Sequence, residues 1–169
     1  MFKNKKVCQV VCIGKNGEIG KNDELLFHIP EDLKFFKNLT IGHSLLIGRK
    51  TMDSIPNGLP RRVVTVLSSL DWSVVVPRET VLFSALSKAK KESDKLGTDL
   101  IYVVGGSSVY EQTFDCTDYL IVTHVDSEDE DADSFYKIPE GFKCAGTIVK
   151  TTTSTSGFTY CVKKYERVV

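Results

Sequence analysis

Three stretches of this chain join glycine, hydroxyl and cationic residues where a strand gives way to a helix or a loop. Gly105-Gly106-Ser107-Ser108 follows an apolar run. Backbone N–H groups in such a turn can cradle a pyrophosphate, because glycines let the chain approach closely and the helix dipole favours anions. The stretch falls short of the full G-x-G-x-x-G pattern and lacks a ribose-binding acid about 20 residues on. A plain tight turn is the alternative reading. Gly48-Arg49-Lys50-Thr51 puts two cations and a hydroxyl beside a helix start, and Ser68-Ser69 closes the next strand. Open α/β sheets bind ligands at the carboxyl ends of their strands. Three such ends with phosphate-friendly groups favour an extended polyphosphate ligand over solvated surface. A fourth candidate is Asp32, beside Leu33 and ahead of Phe35 and Phe36. A carboxylate among apolar groups titrates above its usual range unless it is paired. It could grip a planar polar heterocycle through two hydrogen bonds. The plainer alternative is a partner for the helix dipole.

Other features carry less. Asp129, Asp131, Asp133 and Glu140 match positions of a calcium loop, but Ser134 replaces the turn glycine and Pro139 intrudes. This is read as a solvated acidic loop. His28, His43 and His124 have no H-x-x-x-H spacing or nearby cysteine pair, so no metal is expected. Ser68 and Ser107 lack a nucleophile-elbow setting. Thr151–Ser156 reads as a polar hairpin connection.

The elements that must position these residues follow from periodicity. The strands are Val7–Ile13, Ser44–Ile47, Val63–Leu67, Ser73–Val76, Leu100–Val104, Tyr119–Val125, Lys143–Val149 and Phe158–Tyr165. Gly14–Ile29 is long and polar for a connector, and such loops are usually functional. Pro30-Glu31-Asp32 opens a helix that runs to about Leu39, since proline suits the first helical position and early acids suit the dipole. Short helices follow Gly48 and Gly106. Ser84–Leu96 is amphipathic and closed by Gly97. Strands alternating with helices imply an α/β domain with a mostly parallel sheet. The last two strands have no helix between them, so an antiparallel C-terminal hairpin makes the sheet mixed.

The 169 residues suggest one domain, 1–169. Lys plus Arg and Asp plus Glu each total 22, and this zero balance argues against a dedicated nucleic-acid binder. Five cysteines without zinc or C-x-x-C spacing read as reduced thiols in a cytoplasmic protein. No stretch has the length of a membrane span or a signal peptide.

In this order and spacing, the pieces from Val7 to Glu166 resemble the dihydrofolate reductase family. Asn16-Gly17-Glu18-Ile19-Gly20 resembles the start of its mobile active-site loop, and Ile29-Pro30-Glu31-Asp32-Leu33 through Phe36 its substrate helix. Ile47-Gly48-Arg49-Lys50-Thr51 and Leu67-Ser68-Ser69 look like its NADPH adenosine-phosphate contacts. Val104-Gly105-Gly106-Ser107-Ser108-Val109-Tyr110 looks like its pyrophosphate and nicotinamide turn, and Tyr119–His124 like the strand behind the acid.

The resemblance implies an eight-stranded mixed sheet with about four helices, and hydride transfer from NADPH to C6 of 7,8-dihydrofolate with protonation at N5. Asp32 would hydrogen-bond the pterin's 2-amino group and N3, with Thr123 bridging to it. Val10, Val11, Leu33 and Phe36 would line the substrate pocket together with Ile55, Leu59 and Tyr110. Arg62 would hold the glutamate α-carboxylate, while Arg61 faces solvent. Cys12, Ile19 and Gly20 join the cofactor set. The family usually shows Pro-Trp where this chain has Leu26-Phe27. Phe27 is counted with Asp32 and Thr123 as catalytic, its ring over the pterin side, but it brings no donor. Glu18 and the acidic 126–133 stretch would repel if the loop packs there. The implied partners are dihydrofolate and NADPH, with antifolates as possible inhibitors and a monomer as the unit. A riboflavin-pathway pyrimidine reductase of the same fold, which would need neither Asp32 with Phe36 nor Arg62, and a non-catalytic NADP-binding module are the alternatives.

Overall fold

A computed structural model describes residues 5–68 and 78–168, without the side chains at 78–80. The expected strand at 73–76 and Ser69 lie outside these residues. In chain order the strands are β1 (Lys6–Ile13), β2 (Glu18–Lys21), β3 (Glu24–Leu25), β4 (Ser44–Gly48), β5 (Val63–Leu67), β6 (Leu100–Val103), β7 (Tyr119–Val125), β8 (Ser134–Phe135), β9 (Phe142–Thr153) and β10 (Thr159–Arg167). The helices are α1 (Pro30–Thr40), α2 (Arg49–Asp53), α3 (Arg78–Leu96) and α4 (Ser107–Thr113).

Among the described residues the main sheet has seven strands, ordered β5-β4-β6-β1-β7-β10-β9. The pairings from β5 through β7 are parallel, and β10 and β9 close the sheet antiparallel. β4 reads Ser-Leu-Leu-Ile-Gly and is buried at every residue, as a parallel strand covered on both faces must be. Successive side chains alternate between faces. Val7, Leu46 and Leu120 therefore join one apolar cluster, while Cys8, Leu45 and Ile121 join the other. The first cluster includes residues of α3 and α4, and Phe35 and Phe36 of α1 pack on the second.

Three boundaries differ from the sequence reading. β9 runs on past Val149 to Thr153, so residues 151–153 belong to a strand and not to the hairpin connection. α3 begins at Arg78 instead of Ser84, because Val81 and Leu82 continue the apolar stripe of Ala85, Leu86 and Ala89. The 14–29 segment is not all loop: β2 and β3 form a hairpin whose turn residues, Asn22 and Asp23, have φ of 51° and 63°. Asn and Asp tolerate this left-handed conformation better than most residues. β8 adds to β2 and makes a small three-stranded sheet.

Candidate active site

The carboxyl ends of β1, β4 and β6 open on a cavity of about 720 Å³, within the size range of small-molecule sites. Asp32 stands in its wall, in the first turn of α1. That turn starts without a side-chain cap: Ile29 is extended, Pro30 follows, and the Asp32 and Leu33 N–H groups both bond Ile29 O. The Thr123 hydroxyl donates to Asp32 Oδ1 at 2.7 Å. Thr123 is buried on β7, opposite Cys12 of β1. Burial pushes the Asp32 carboxyl above the usual carboxylate range, and the Thr123 hydrogen bond only partly opposes it. The Cys12 thiol is pushed up as well, by burial first and then by Asp32's charge, so it stays protonated and inert.

Apolar walls surround that acid. Val10, Val11, Leu33, Phe36, Ile55 and Leu59 all line the cavity. Tyr110 does too, with its hydroxyl donating to Val10 O at 2.6 Å. Arg62 lies farther along. Its Nε donates to Pro60 O at 3.0 Å and its Nη1 to Thr40 Oγ1 at 3.3 Å, while Phe36 lies 6.0 Å below the guanidinium. Two contacts and a ring thus orient the fork and leave other N–H groups to face the cavity. Partial burial lowers the Arg62 pKa below its usual value.

At the other end, Gly48 donates to Gly105 O at 2.7 Å, so the ends of β4 and β6 touch. A Cβ at Gly106 would come within 2.9 Å of Thr51 Oγ1, and Gly105 has φ of +119°, which other residues rarely adopt. Arg49 and Lys50 are exposed beside this junction, Arg49 paired with Asp53 at 3.3 Å. Gly48, Thr51, Leu67 and Ser68 line this part of the cavity, as do Val104, Gly106, Ser107, Ser108 and Val109. Cys12, Ile19 and Gly20 line it from β1 and β2.

A family model described as dihydrofolate reductase matches residues 6–167. This chain belongs to the dihydrofolate reductase family. It is 36% identical over 127 residues to dihydrofolate reductase HdrB of Haloferax volcanii, covering 72% of this chain and 66% of that protein. Over 160 residues it is 31% identical to the Bacillus subtilis dihydrofolate reductase, covering 94% and 92%. The fold matches a dihydrofolate reductase from Enterococcus faecalis complexed with NADP(H) and RAB-propyl, with a TM-score of 0.77, 25% identity and 96% of each chain covered.

Not every residue that the family resemblance singled out stands in the wall. Phe27 is 4% exposed and packs edge-to-face on Phe158, with centroids 5.5 Å apart. It belongs to the apolar core beside Ile29 and Tyr160, and is not among the cavity's lining residues. Gly105 sits just behind the lining, and Ser69 lies outside the described residues. The cavity also recruits residues that the sequence reading passed over, among them Asp23, Glu24, Leu25, Lys37 and Gln112.

The expected repulsion between Glu18 and the acidic stretch does not occur. Glu18 is 1% exposed, and its carboxylate accepts N–H bonds from Asn16 at 2.6 Å and Asp129 at 2.7 Å. Burial alone would raise this carboxyl; the N–H groups of Glu18 itself, Asp129 and Asn16 outweigh it and hold the pKa below its usual value. Backbone dipoles, invisible in a count of side-chain charges, decide the contact. Lys15 pairs with Asp126 and Lys21 with Asp131, which drains more of the acidic charge. Among the described residues no cluster of three His, Cys, Asp or Glu is arranged to hold a metal.

Two further surprises concern support. Gln9 is fully buried on β1; its amide donates to Tyr110 O at 2.8 Å and Thr113 Oγ1 at 2.9 Å, and it accepts from the Tyr136 hydroxyl at 2.9 Å. This satisfied network fixes α4 to the sheet. Thr151–Ser156, read as mere connection, reaches Glu31 on α1. No periodicity reports such a contact, which joins side chains 123 and 124 residues apart.

Proposed function

We propose that this chain reduces 7,8-dihydrofolate to 5,6,7,8-tetrahydrofolate with NADPH, and that the residues of the cavity divide the work. The observation that carries this is the Asp32–Thr123 pair in a mostly apolar wall, with Arg62 lining the same cavity. NADPH, when bound, supplies the hydride for C6. Asp32 holds the pterin through its 2-amino group and N3. Its raised pKa and its charge favour the substrate form protonated at N5. Thr123 fixes the carboxyl, and Arg62 takes the glutamate α-carboxylate with its planar fork. Val10, Leu33, Phe36 and Ile55 exclude water around the ring, which strengthens the field of Asp32.

The residues at the β4 and β6 ends suit the cofactor. Arg49, Lys50 and Ser68 offer charge and hydroxyl to an adenosine phosphate, and the Gly105–Ser108 turn offers N–H groups to a pyrophosphate. Phe27 acts through packing, since its ring lies in the core and has no donor. We read residues 1–169 as one domain acting as a cytoplasmic monomer, with antifolates as competitive ligands. All five cysteines are unpaired, which suits a reducing compartment. Among the described residues no helix is long and apolar enough to cross a membrane.

Mixing the protein with NADPH and dihydrofolate tests this. Reduced-nicotinamide absorbance should fall only when both are present, and NADH should bind about tenfold or more weakly, the worth of one charge-assisted bond. Arg49→Ala should narrow that gap by weakening NADPH. Absence of turnover, or equal affinity for the two cofactors, would contradict the assignment.

A further inference from the structure

The reading of Asp32 as the pterin's partner leaves open what holds Asp32 in place. α1 begins with no side-chain cap, and an uncapped first turn is prone to fray. The turn between β9 and β10 anchors the first turn of α1 from outside, through the Glu31 side chain. Glu31 Oε2 accepts the Ser154 hydroxyl at 2.5 Å, and Oε1 accepts the Thr155 hydroxyl at 2.7 Å and the Thr155 N–H at 3.2 Å. The turn is itself ordered: Ser154 N–H bonds Phe158 O at 2.7 Å, Gly157 N–H bonds Ser154 O at 2.9 Å, and the Ser154 and Ser156 hydroxyls meet at 2.8 Å.

The same turn also reaches the chain ahead of Asp32, where Phe158 presses on Phe27. Two points of the segment that leads into the acid, Phe27 and Glu31, are therefore gripped by one hairpin. That hairpin is in register with the strand that bears Asp32's partner, since Val162 of β10 lies opposite Thr123. The Glu31 tether and the Thr123 hydrogen bond thus hang from adjoining antiparallel strands. The Ser154 and Thr155 hydroxyls hold the Glu31 carboxyl down at about 2, so the tether keeps its charge while Asp32 titrates.

We propose that Glu31 is a positioning residue: gripped by Ser154 and Thr155, it fixes the first turn of α1 and so holds the Asp32 carboxyl against Thr123. This rests on the dihydrofolate reductase reading for its kinetic consequence, but not for its structural one. A carboxylate at this helix position could instead act by charge alone, as a dipole partner. Charge and geometry separate under mutation. Ser154→Ala with Thr155→Val removes the hydroxyl donors and leaves the Glu31 charge in place. Glu31→Ala removes both charge and tether, and Glu31→Gln keeps an acceptor without the charge.

The experiment is a carbon NMR titration of the Asp32 carboxyl in the free protein, beside single-turnover hydride transfer and NADPH affinity. Among the described residues, the Cys12 thiol and the Tyr160 hydroxyl respond to Asp32's charge; burial first raises the pKa of both, so neither confuses an acid titration. Without the tether the first turn admits water; burial acts on Asp32 more strongly than the Thr123 bond does, so relief of burial outweighs loss of that bond and the Asp32 midpoint falls toward the ordinary aspartate range. Displacement of about 1 Å can cost up to 10²-fold in rate, so the hydride step should fall roughly tenfold in the double variant and in Glu31→Ala. Combining all three changes should add little more, because they break one contact. Glu31→Gln should stay within about threefold of wild type, and NADPH affinity should move less than twofold.

An effect of Glu31→Ala that the Ser154/Thr155 variant does not share would reduce the role to charge and overturn the proposal. So would a lowered melting temperature with an unmoved Asp32 midpoint and rate. If the wild type reduces no dihydrofolate, the functional reading falls, and the carboxyl titration still decides the tether.

Discussion

Replacing Thr123 by valine isolates the contact on which the proposed chemistry depends. Among the described residues the Thr123 hydroxyl is the one donor to the Asp32 carboxyl, at 2.7 Å. Valine keeps the β-branched shape on a buried strand and deletes the hydroxyl. A hydrogen bond to a charged group contributes about 1.5–3 kcal/mol, and one pKa unit corresponds to about 1.36 kcal/mol. The full loss would thus move the Asp32 midpoint by one to two units. Asp32 is only half-buried, and water reaching it replaces part of the bond, so about one unit is expected. The direction is upward, because the lost donor favoured the ionised form. Titrating the Asp32 carboxyl by NMR in the free protein measures the shift, and the pH profile of single-turnover hydride transfer should move with it. Thr123→Ser, which keeps the donor, should leave both near wild type. An unmoved or lowered midpoint in Thr123→Val would show that the pair does not govern the acid.

Asp32→Asn should cut turnover at neutral pH by about two to four decades and yet stabilise the fold. The folded carboxyl titrates above its unfolded value, so the folded state binds more protons between the two and wild-type stability declines as pH rises through that window. Urea midpoints should therefore show the variant ahead above the window, and level with wild type below the ordinary carboxylate range. Arg62→Lys should raise KM for dihydrofolate about tenfold with kcat little changed, and a pterin lacking the glutamate tail should not notice. Tyr136→Phe strips the donor from the fully buried Gln9 Oε1, a loss of about 1–3 kcal/mol that thermal melting would record.

Much of this was legible in the residues. The parallel strands announced themselves as continuous apolar runs, and, Gly105 apart, the glycine, cation and hydroxyl residues singled out at the ends of β4 and β6 line the cavity. Asp32, Thr123 and Arg62 are far apart in sequence, and it was the family resemblance that joined them; all three line the cavity. What remained hidden was of two kinds. Backbone N–H groups have no sequence signature, so Glu18 looked repelled by a stretch that binds it. Contacts between elements distant in sequence, such as Gln9 with Tyr136 or Glu31 with Ser154, depend on tertiary packing that no local period encodes. Phe27 was misleading for a third reason: a resemblance transfers a position, and the ring at this position packs into the core, against Phe158.

The central claim is that this cavity directs a hydride from NADPH to dihydrofolate under the control of Asp32. Deuterium placed on the transferring position of NADPH tests it directly. In a single turnover with dihydrofolate, NMR of the product should find the label at C6 of tetrahydrofolate, at a rate that Asp32→Asn lowers by decades at neutral pH and by less at low pH. Label absent from C6, or transfer as fast in Asp32→Asn as in wild type at neutral pH, would contradict the account.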